Sequence, residues 1–267
     1  MTRDVLDDRL IGALHVRALS RAGLHHDPAA SHALVQAGTI AALMDGRYDG
    51  DLSLGELLTR GDLGIGTIQH LDGELVIIDG DAWVVHGDGT VAAVAPSTKT
   101  PFAVVCNFHP AREHELSGPI GFTALTAAID SIAPPDEPVV AVRVDGDFRD
   151  LRLRSVHGQH PPYPPLREVV LHQSEWTVDH AHGSLVGFRF PDATSGIEVA
   201  GHHLHFLSDD RRIGGHVLDL IVTSAVARVD GAHDLSVEVP NGLTLGVPGA
   251  LGDEIAAVEG TSAQHPH

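Results

Sequence analysis

Three histidines in the last third of the chain have the types and spacing of a metal site. His203 and His205 are two residues apart in an apolar run, and residues two apart on a β-strand point to the same face. The polar and glycine-rich residues 209–215 predict a turn, after which a second strand would bring His216 opposite His205. Three neutral imidazoles from two paired strands are the ligand set of a catalytic zinc with an open fourth position, or of another divalent first-row metal.

Chance clustering is the main alternative for these histidines, because the chain contains 20 of them. His202 is next to the pair, but alternation along a strand predicts that it faces the opposite side. The hairpin return to His216 favours a ligand set made of His203, His205 and His216, and it leaves His202 outside.

A catalytic metal needs a carboxylate that can move protons and a cation that can hold an anionic substrate. Glu74 directly follows an Asp-Gly turn and begins an apolar strand, where a surface acid is not required. Arg154 lies on a predicted strand whose alternation places it on the same face as Arg152. For both Glu74 and Arg154 the structural alternative is an ordinary exposed strand residue.

The surrounding pattern predicts mainly short strands with a few helices. Thr39 is expected to cap a short helix, and Ser53 with Glu56 has the spacing of a capping box. Between residues 63 and 89 the apolar period becomes two and Asp-Gly turns separate the runs, which indicates a meander of strands. Further predicted elements are helices over residues 5–22, 120–132, 166–172 and 253–259, a turn at Asp145-Gly146, and strands over residues 102–108, 139–145, 148–156, 184–190, 216–222, 222–229 and 235–239.

Composition limits the class of function. The chain has 267 residues, 43% of them hydrophobic, so it is long enough to bury a substantial core. Lys and Arg total 17 against 36 Asp and Glu, and the net charge of −19 disfavours binding to nucleic acid or to an anionic membrane surface. Cys106 is the single cysteine, so no disulfide framework can form. No signal peptide or membrane-length apolar run is visible, and we expect a cytoplasmic protein.

These patterns predict a β-rich α/β protein with a break at the proline-rich residues 134–138. We expect an N-terminal arm at residues 1–30, an α/β lobe at residues 31–135, a β-rich metal-binding lobe at residues 136–260 and a tail at residues 261–267.

Beyond its histidines, the chain resembles the α-acetolactate decarboxylase family. The hairpin has the sequence His-Leu-His-Phe-Leu-Ser-Asp-Asp-Arg from residue 203 and Gly-Gly-His-Val-Leu-Asp from residue 214. Similar segments lie in the same order at residues 39–50, 61–67, 71–75, 99–103, 154–156, 162–166 and 183–188. The resemblance runs from about residue 35 to about residue 230 and excludes the arm and the tail.

The resemblance implies a metal-dependent, usually zinc-containing, enzyme that converts 2-acetolactate to (R)-acetoin and CO2. It implies the same three metal ligands that the hairpin pattern selects. It also implies active-site roles for Glu74, Arg154, Thr67 and a C-terminal glutamate, for which Glu259 is the best match and Glu254 is the alternative. The expected architecture is an N-terminal mixed sheet with helices and a C-terminal antiparallel, barrel-like sheet, in a homodimer formed through the first lobe.

The implied decarboxylation is chemically consistent with a bound metal, an arginine and a glutamate in one site. The substrate is a β-keto acid, so the electrons left by CO2 must flow into the ketone, and a divalent metal can serve as their sink without an organic cofactor. Arg154 would bind the carboxylate or the enediolate oxygens, while Glu74 or Glu259 would deliver a proton to one face.

Two other classes of function remain open at this level. One is a different three-histidine metalloenzyme, such as a cupin-like oxygenase or a hydrolase. Cupin spacing would place a glutamate soon after the histidine pair, where this chain has Ser208-Asp209-Asp210, which weakens that alternative. The other is a non-enzymatic module that binds a metal or a small ligand.

Overall fold

The computed structural model describes residues 4–26, 32–133, 136–240, 245 and 251–259. Its strands are β1 (Val5–Ile11), β2 (Leu14–Leu19), β3 (Ala33–Ala37), β4 (Leu52–Ser53), β5 (Leu63–Thr67), β6 (Glu74–Ile78), β7 (Asp81–Val85), β8 (Val91–Ala93), β9 (Lys99–Thr100), β10 (Ala103–Cys106), β11 (Arg112–Gly121), β12 (Val139–Ser155), β13 (Ser174–Phe190), β14 (Gly201–Ser208), β15 (Gly214–Ala232) and β16 (Asp234–Glu238). Its helices are α1 (Arg21–His26), α2 (Ile40–Met44), α3 (Leu54–Leu58), α4 (Phe122–Ile132), α5 (Leu166–Val169) and α6 (Gly252–Glu259).

The first sheet has nine strands in the order β1-β2-β16-β3-β10-β5-β6-β7-β8. Strand β16 runs parallel to both of its neighbours, β2 and β3, whereas the other pairs are antiparallel. Strands β5, β6 and β10 are buried along their whole length, as expected when both faces of a sheet are covered. The predicted mixed sheet is therefore confirmed.

The second sheet is antiparallel, in the order β11-β15-β12-β13-β14, and β14 also pairs with β15. One core cluster contains Ile65 and Val76 from the first sheet together with Phe188 and Leu207 from the second, so the two sheets pack against each other. The predicted β-rich α/β class, with a mixed and an antiparallel sheet, is confirmed.

The local helix signals are confirmed at two positions. The Thr39 side chain accepts a hydrogen bond from the backbone N–H of Ala42 and caps α2. Ser53 and Glu56 form both hydrogen bonds of a capping box at the start of α3. The predicted meander is present as β5 to β8. The turns and helix caps of these elements are specified by residues that lie close together in the sequence.

The predicted helix over residues 5–22 is wrong. These residues form the hairpin of β1 and β2, which turns at Gly12 with a φ of +61°, and α1 begins only at Arg21. Residues of β2 alternate between buried and half-buried over most of its length, the period of a strand whose two faces differ in burial. The strand pairs with β1 on one side and with β16 on the other. Pairing with β16, far away in the sequence, stabilises the extended conformation.

The predicted turn at Asp145-Gly146 is also wrong, because both residues lie inside the 17-residue strand β12. A Cβ at Gly146 would collide with the backbone of Ser224 and Ala225 on β15. The glycine therefore permits two strands to approach closely and does not mark a turn. In the same way, the strands predicted on either side of Val222 are one strand, β15.

The division into an arm, two lobes and a tail stays a prediction, and residues 134, 135 and 261–267 lie outside the described part of the chain. The strand order shows that the predicted arm and the predicted second lobe both contribute strands to one sheet. Strand β16, from the range 136–260, pairs in the first sheet beside β2, from the range 1–30. No helix among the described residues is long and apolar enough to cross a membrane.

Candidate metal centre and adjoining cleft

Three buried histidines point their ring nitrogens at one another. One ring nitrogen from each of His203, His205 and His216 lies within 4.8 Å of the other two. The Nε2 atoms of His203 and His205 are 3.2 Å apart, and the three side chains are almost fully shielded from solvent. The three histidines selected from the sequence therefore form a cluster of the size that one metal ion occupies.

Strand register produces this convergence. His205 on β14 lies directly opposite His216 on β15, and His203 is two residues earlier on the same strand as His205. The intervening turn is held by Ser208, whose hydroxyl accepts from the backbone N–H of Ile213 at 3.0 Å and donates to Asp210 Oδ1 at 2.7 Å. The predicted hairpin is confirmed.

A contact from the first sheet orients one of the rings. His205 Nδ1 lies 2.8 Å from the backbone oxygen of Leu75 on β6. A carbonyl oxygen can only accept, so Nδ1 carries the proton and Nε2 presents its lone pair to the cluster. This arrangement of a ligand and its hydrogen-bond partner is common around protein-bound metals.

Burial favours the neutral form of one histidine of the cluster. It lowers the pKa of His203 to about 3, with the positive charge of Arg154 as a second cause. Imidazoles bind metal only when they are deprotonated, so a neutral His203 at physiological pH is the form that a metal requires. Three neutral nitrogen donors fit Zn2+ and other first-row divalent ions.

Glu74 and Thr67 approach the cluster from the first sheet. They pair across β6 and β5, and both side chains are buried. Glu74 Oε2 is 3.4 Å from His205 Nε2, close enough to contact a group bound at the histidines. The Thr67 hydroxyl donates to the backbone oxygen of Gly73 at 2.7 Å, which fixes the turn that leads into Glu74.

Arg154 approaches from the second sheet. It lies on β12 opposite His216 on β15, and it is only 3% exposed. Its Nη1 donates to the Oε1 of Gln173 at 2.8 Å. Arg152, which was predicted to share a face with Arg154, is exposed.

These groups meet in one cleft between the sheets. Its polar end contains Thr67, Glu74, Arg154 and His203. The remaining lining residues include apolar side chains that the sequence patterns did not single out: Ile40, Leu43, Leu71, Phe102, Val156, Leu166, Val170 and Val258. A charged end and an apolar end together suit a small organic anion.

The other predicted site residues have different positions. Glu259 is the last residue of α6, and its side chain lies outside the described part of the chain; Glu254 is exposed on the same helix. His202 Nε2 is 3.0 Å from Asp130 Oδ1 on α4, so it belongs to a different contact, as its predicted orientation requires. Gln173 was missed because no local pattern distinguishes it from any other loop glutamine.

Comparison with known proteins supplies the family. The model of the family described as alpha-acetolactate decarboxylase matches residues 34–244. The chain belongs to this family. An α-acetolactate decarboxylase of Methylococcus capsulatus is 44% identical over 209 residues, which cover 78% of this chain and 80% of that protein. Another member, from Klebsiella aerogenes, is 37% identical over 207 residues, 78% of this chain and 80% of that protein.

The fold agrees with a solved structure of the family. The crystal structure of alpha-acetolactate decarboxylase from Bacillus subtilis strain 168 superposes with a TM-score of 0.81 at 33% sequence identity. The similarity covers 85% of this chain and 99% of that chain.

Proposed function

We propose that this protein is a metal-dependent decarboxylase that converts (S)-2-acetolactate to (R)-acetoin and CO2. The observation that carries the proposal is a buried three-histidine cluster, one member of which, His203, lines a cleft together with Glu74 and Arg154, in a member of the α-acetolactate decarboxylase family. Family membership favours this reaction over the two alternatives, which are a different three-histidine metalloenzyme, such as a cupin-like oxygenase or a hydrolase, and a non-enzymatic module that binds a metal or a small ligand.

His203, His205 and His216 would hold Zn2+ or another divalent first-row ion. Such an ion would supply a Lewis acid that stabilises the negative charge on the ketone oxygen of the substrate, into which the electron pair moves as the bond between the carboxylate carbon and C2 breaks. Burial and the Leu75 carbonyl support this assignment, because burial lowers the pKa of His203 and the carbonyl orients His205.

Arg154 would bind the substrate carboxylate and afterwards the developing enediolate oxygens. Its guanidinium is permanently charged and has the planar fork that suits oxyanions. The local charge matters because the substrate is an anion and the whole chain carries a net charge of −19. Arg154 and a bound cation would create a positive site inside an otherwise repelling protein.

Glu74 would transfer the proton that completes the product. Its buried carboxylate, 3.4 Å from a ring nitrogen of His205, lies where a group bound at the cluster would come within reach. Delivery from one side of the cleft would fix the configuration of acetoin as (R). Thr67 would act beside Glu74 by holding the turn and by lining the cleft.

We assign the C-terminal glutamate role to Glu259 and not to Glu254. Helix α6 packs through the buried residues Ile255 and Val258, and Val258 lines the cleft. In sequence, position 259 follows Ile255 by one helical turn, whereas Glu254 is exposed.

Two features of the structure support further proposals, one about the shape of the second sheet and one about the oligomeric state. Strand β14 pairs with both β13 and β15, which supports a barrel-like second sheet. Edge strand β1 leaves Leu6 and Leu10 exposed, an apolar surface consistent with a homodimer formed through the first sheet. A cytoplasmic location stays a prediction from the sequence.

Acetoin formation from racemic acetolactate tests the proposed reaction. Protein reloaded with Zn2+ should produce (R)-acetoin from one enantiomer with release of CO2, and the same protein treated with a chelator should fall to the spontaneous rate. Metal analysis before and after the chelator provides the control. Product formation no faster than in buffer, with one metal ion bound per chain, would reject the reaction.

A further inference from the structure

We propose that Gln173 is a positioning residue that aims the Arg154 guanidinium into the cleft. The inference rests on the proposed function, in which Arg154 holds the substrate. Arg154 Nη1 donates to Gln173 Oε1 at 2.8 Å, and Gln173 Nε2 donates to Glu175 Oε1 at 2.8 Å. The glutamine thus connects a buried cation to an exposed carboxylate.

The two partners determine which way the Gln173 amide faces. A guanidinium has only donors and an ionised carboxylate has only acceptors. The amide oxygen must therefore face Arg154 while its NH2 group faces Glu175, and a rotated amide would oppose donor to donor and acceptor to acceptor. Glu175 consequently fixes the orientation in which Gln173 can hold Arg154.

The place of Gln173 in the chain explains why this contact matters to the cleft. It follows the 3-10 turn Val170–His172 and precedes β13, and its backbone N–H donates to the Val170 oxygen at 3.3 Å. Val170 lines the cleft together with Arg154. One residue therefore joins the charged end of the cleft to its apolar side.

A neutral amide is well suited to this task. Strand register places Glu175 directly opposite Arg154, and the glutamine contacts both residues. An amide oxygen restricts the rotation of the long side chain without adding a negative charge beside it, so the guanidinium keeps its attraction for a substrate carboxylate.

Replacement of Gln173 by methionine removes the hydrogen bond and nearly preserves the volume. We expect KM for acetolactate to rise about tenfold, the size of effect typical of one hydrogen bond to a charged group. We expect kcat to change less than about threefold, and metal content and Tm to stay at wild-type values. The matched control is Gln159→Met, at a loop glutamine whose Nε2 donates to the backbone oxygen of His157 at 2.7 Å.

A double-mutant cycle with Arg154→Lys separates positioning from a merely structural role. If Gln173 acts through Arg154, adding Gln173→Met to Arg154→Lys should raise KM by less than about twofold further, because the planar fork is already gone. A structural role would give the same fold-change in both backgrounds.

The outcomes are distinct. An unchanged KM in Gln173→Met, or equal effects in the two backgrounds, would overturn the inference while the wild-type activity stands. A wild-type protein that is metal-loaded and makes no acetoin would instead reject the proposed function, and this inference with it.

Discussion

Neighbouring residues of the same type have different environments in this protein. His202 and His203 are adjacent on β14, but His202 contacts Asp130 on α4 whereas His203 lies in the buried cluster. Arg152 and Arg154 both lie on β12, yet Arg152 is exposed and Arg154 is 3% exposed. Each pair supplies a substitution and its own matched control.

The histidine and arginine substitutions should separate metal binding from substrate binding. His205→Ala removes a proposed ligand, so we expect loss of the metal and more than about a 100-fold loss of kcat/KM, since even second-sphere changes cost 10–100-fold. Arg154→Ala should retain one metal ion per chain and still lose activity. Metal analysis and acetoin assays on the same preparations measure both effects.

The control substitutions are His202→Ala and Arg152→Ala. Both should keep the metal and stay within about threefold of wild-type activity, because neither residue lines the cleft. Stoichiometric metal retained by His205→Ala would contradict the ligand assignment.

Local alternation predicted the histidines but not the difference between the two arginines. The His-x-His pair and its return strand are a short-range pattern, and their register followed from it. The exposure of Arg152 and Arg154 depends instead on what covers β12, and the pairing of β12 with β15 shifts register between Arg152 and Leu153. Such a shift arises from partners far away in the chain.

At the scale of the element, the hairpin formed by β14 and β15 depends on the glycine that precedes His216. Gly215 precedes His216 and has a φ of +140°, a conformation that favours glycine. A Cβ there would lie 2.8 Å from the backbone oxygen of Arg154 and 3.2 Å from the Trp176 ring. The backbone around Gly215 therefore sets the spacing between the proposed ligand His216 and the strand that carries Arg154.

Gly215→Ala should weaken both the fold and the metal site. Backbone strain of about 1–3 kcal/mol is expected, together with a shift of β15 against β12 that displaces His216. Gly201→Ala is the matched control, because Gly201 also has a positive φ, +83°, but a Cβ there meets nothing within 4 Å. Thermal unfolding should show a lower Tm for both variants, while metal titration should show weaker binding for Gly215→Ala alone. Equal metal affinity in the two would contradict this account.

Elements with local signals were predictable, and elements made by distant pairing were not. The caps at Thr39 and Ser53 and the meander from β5 to β8 follow from residues a few positions apart. The β1–β2 hairpin and the full length of β12 depend on neighbours such as β16 and β15, which sequence periodicity cannot identify. The apolar residues that line the cleft, and Gln173, which contacts Arg154, belong to this second class.

At the scale of the whole molecule, a buried acid in the first sheet should make stability depend on pH. Glu238, at the end of β16, is 3% exposed, and burial is the main cause that raises its pKa to about 7. The negative charges of Asp51 and Glu56 contribute to this rise, whereas the positive charge of Arg21 opposes it. Between its ordinary value of 4.5 and about 7, the folded protein holds a proton that the unfolded chain releases. The free energy of unfolding should therefore fall as pH rises through this range.

Glu238→Gln should remove this pH dependence. Relative to wild type, we expect the variant to gain up to about 3 kcal/mol of unfolding free energy between pH 4.5 and pH 8, the value that corresponds to the pKa shift. Urea unfolding at both pH values measures the gain, with Glu115→Gln on the exposed part of β11 as control. A variant whose pH dependence parallels that of the wild type would contradict the assignment.

The position of β16 between β2 and β3 has a consequence for synthesis. Strands β1 and β2 are separated in the chain from β16, which joins them to the rest of the first sheet, by residues 20–233. Every strand of the second sheet lies within that interval and is therefore synthesised before β16. The first sheet cannot be completed in the order in which its strands are made, and its assembly depends on pairing between segments that are distant in the sequence, a feature typical of slow folding.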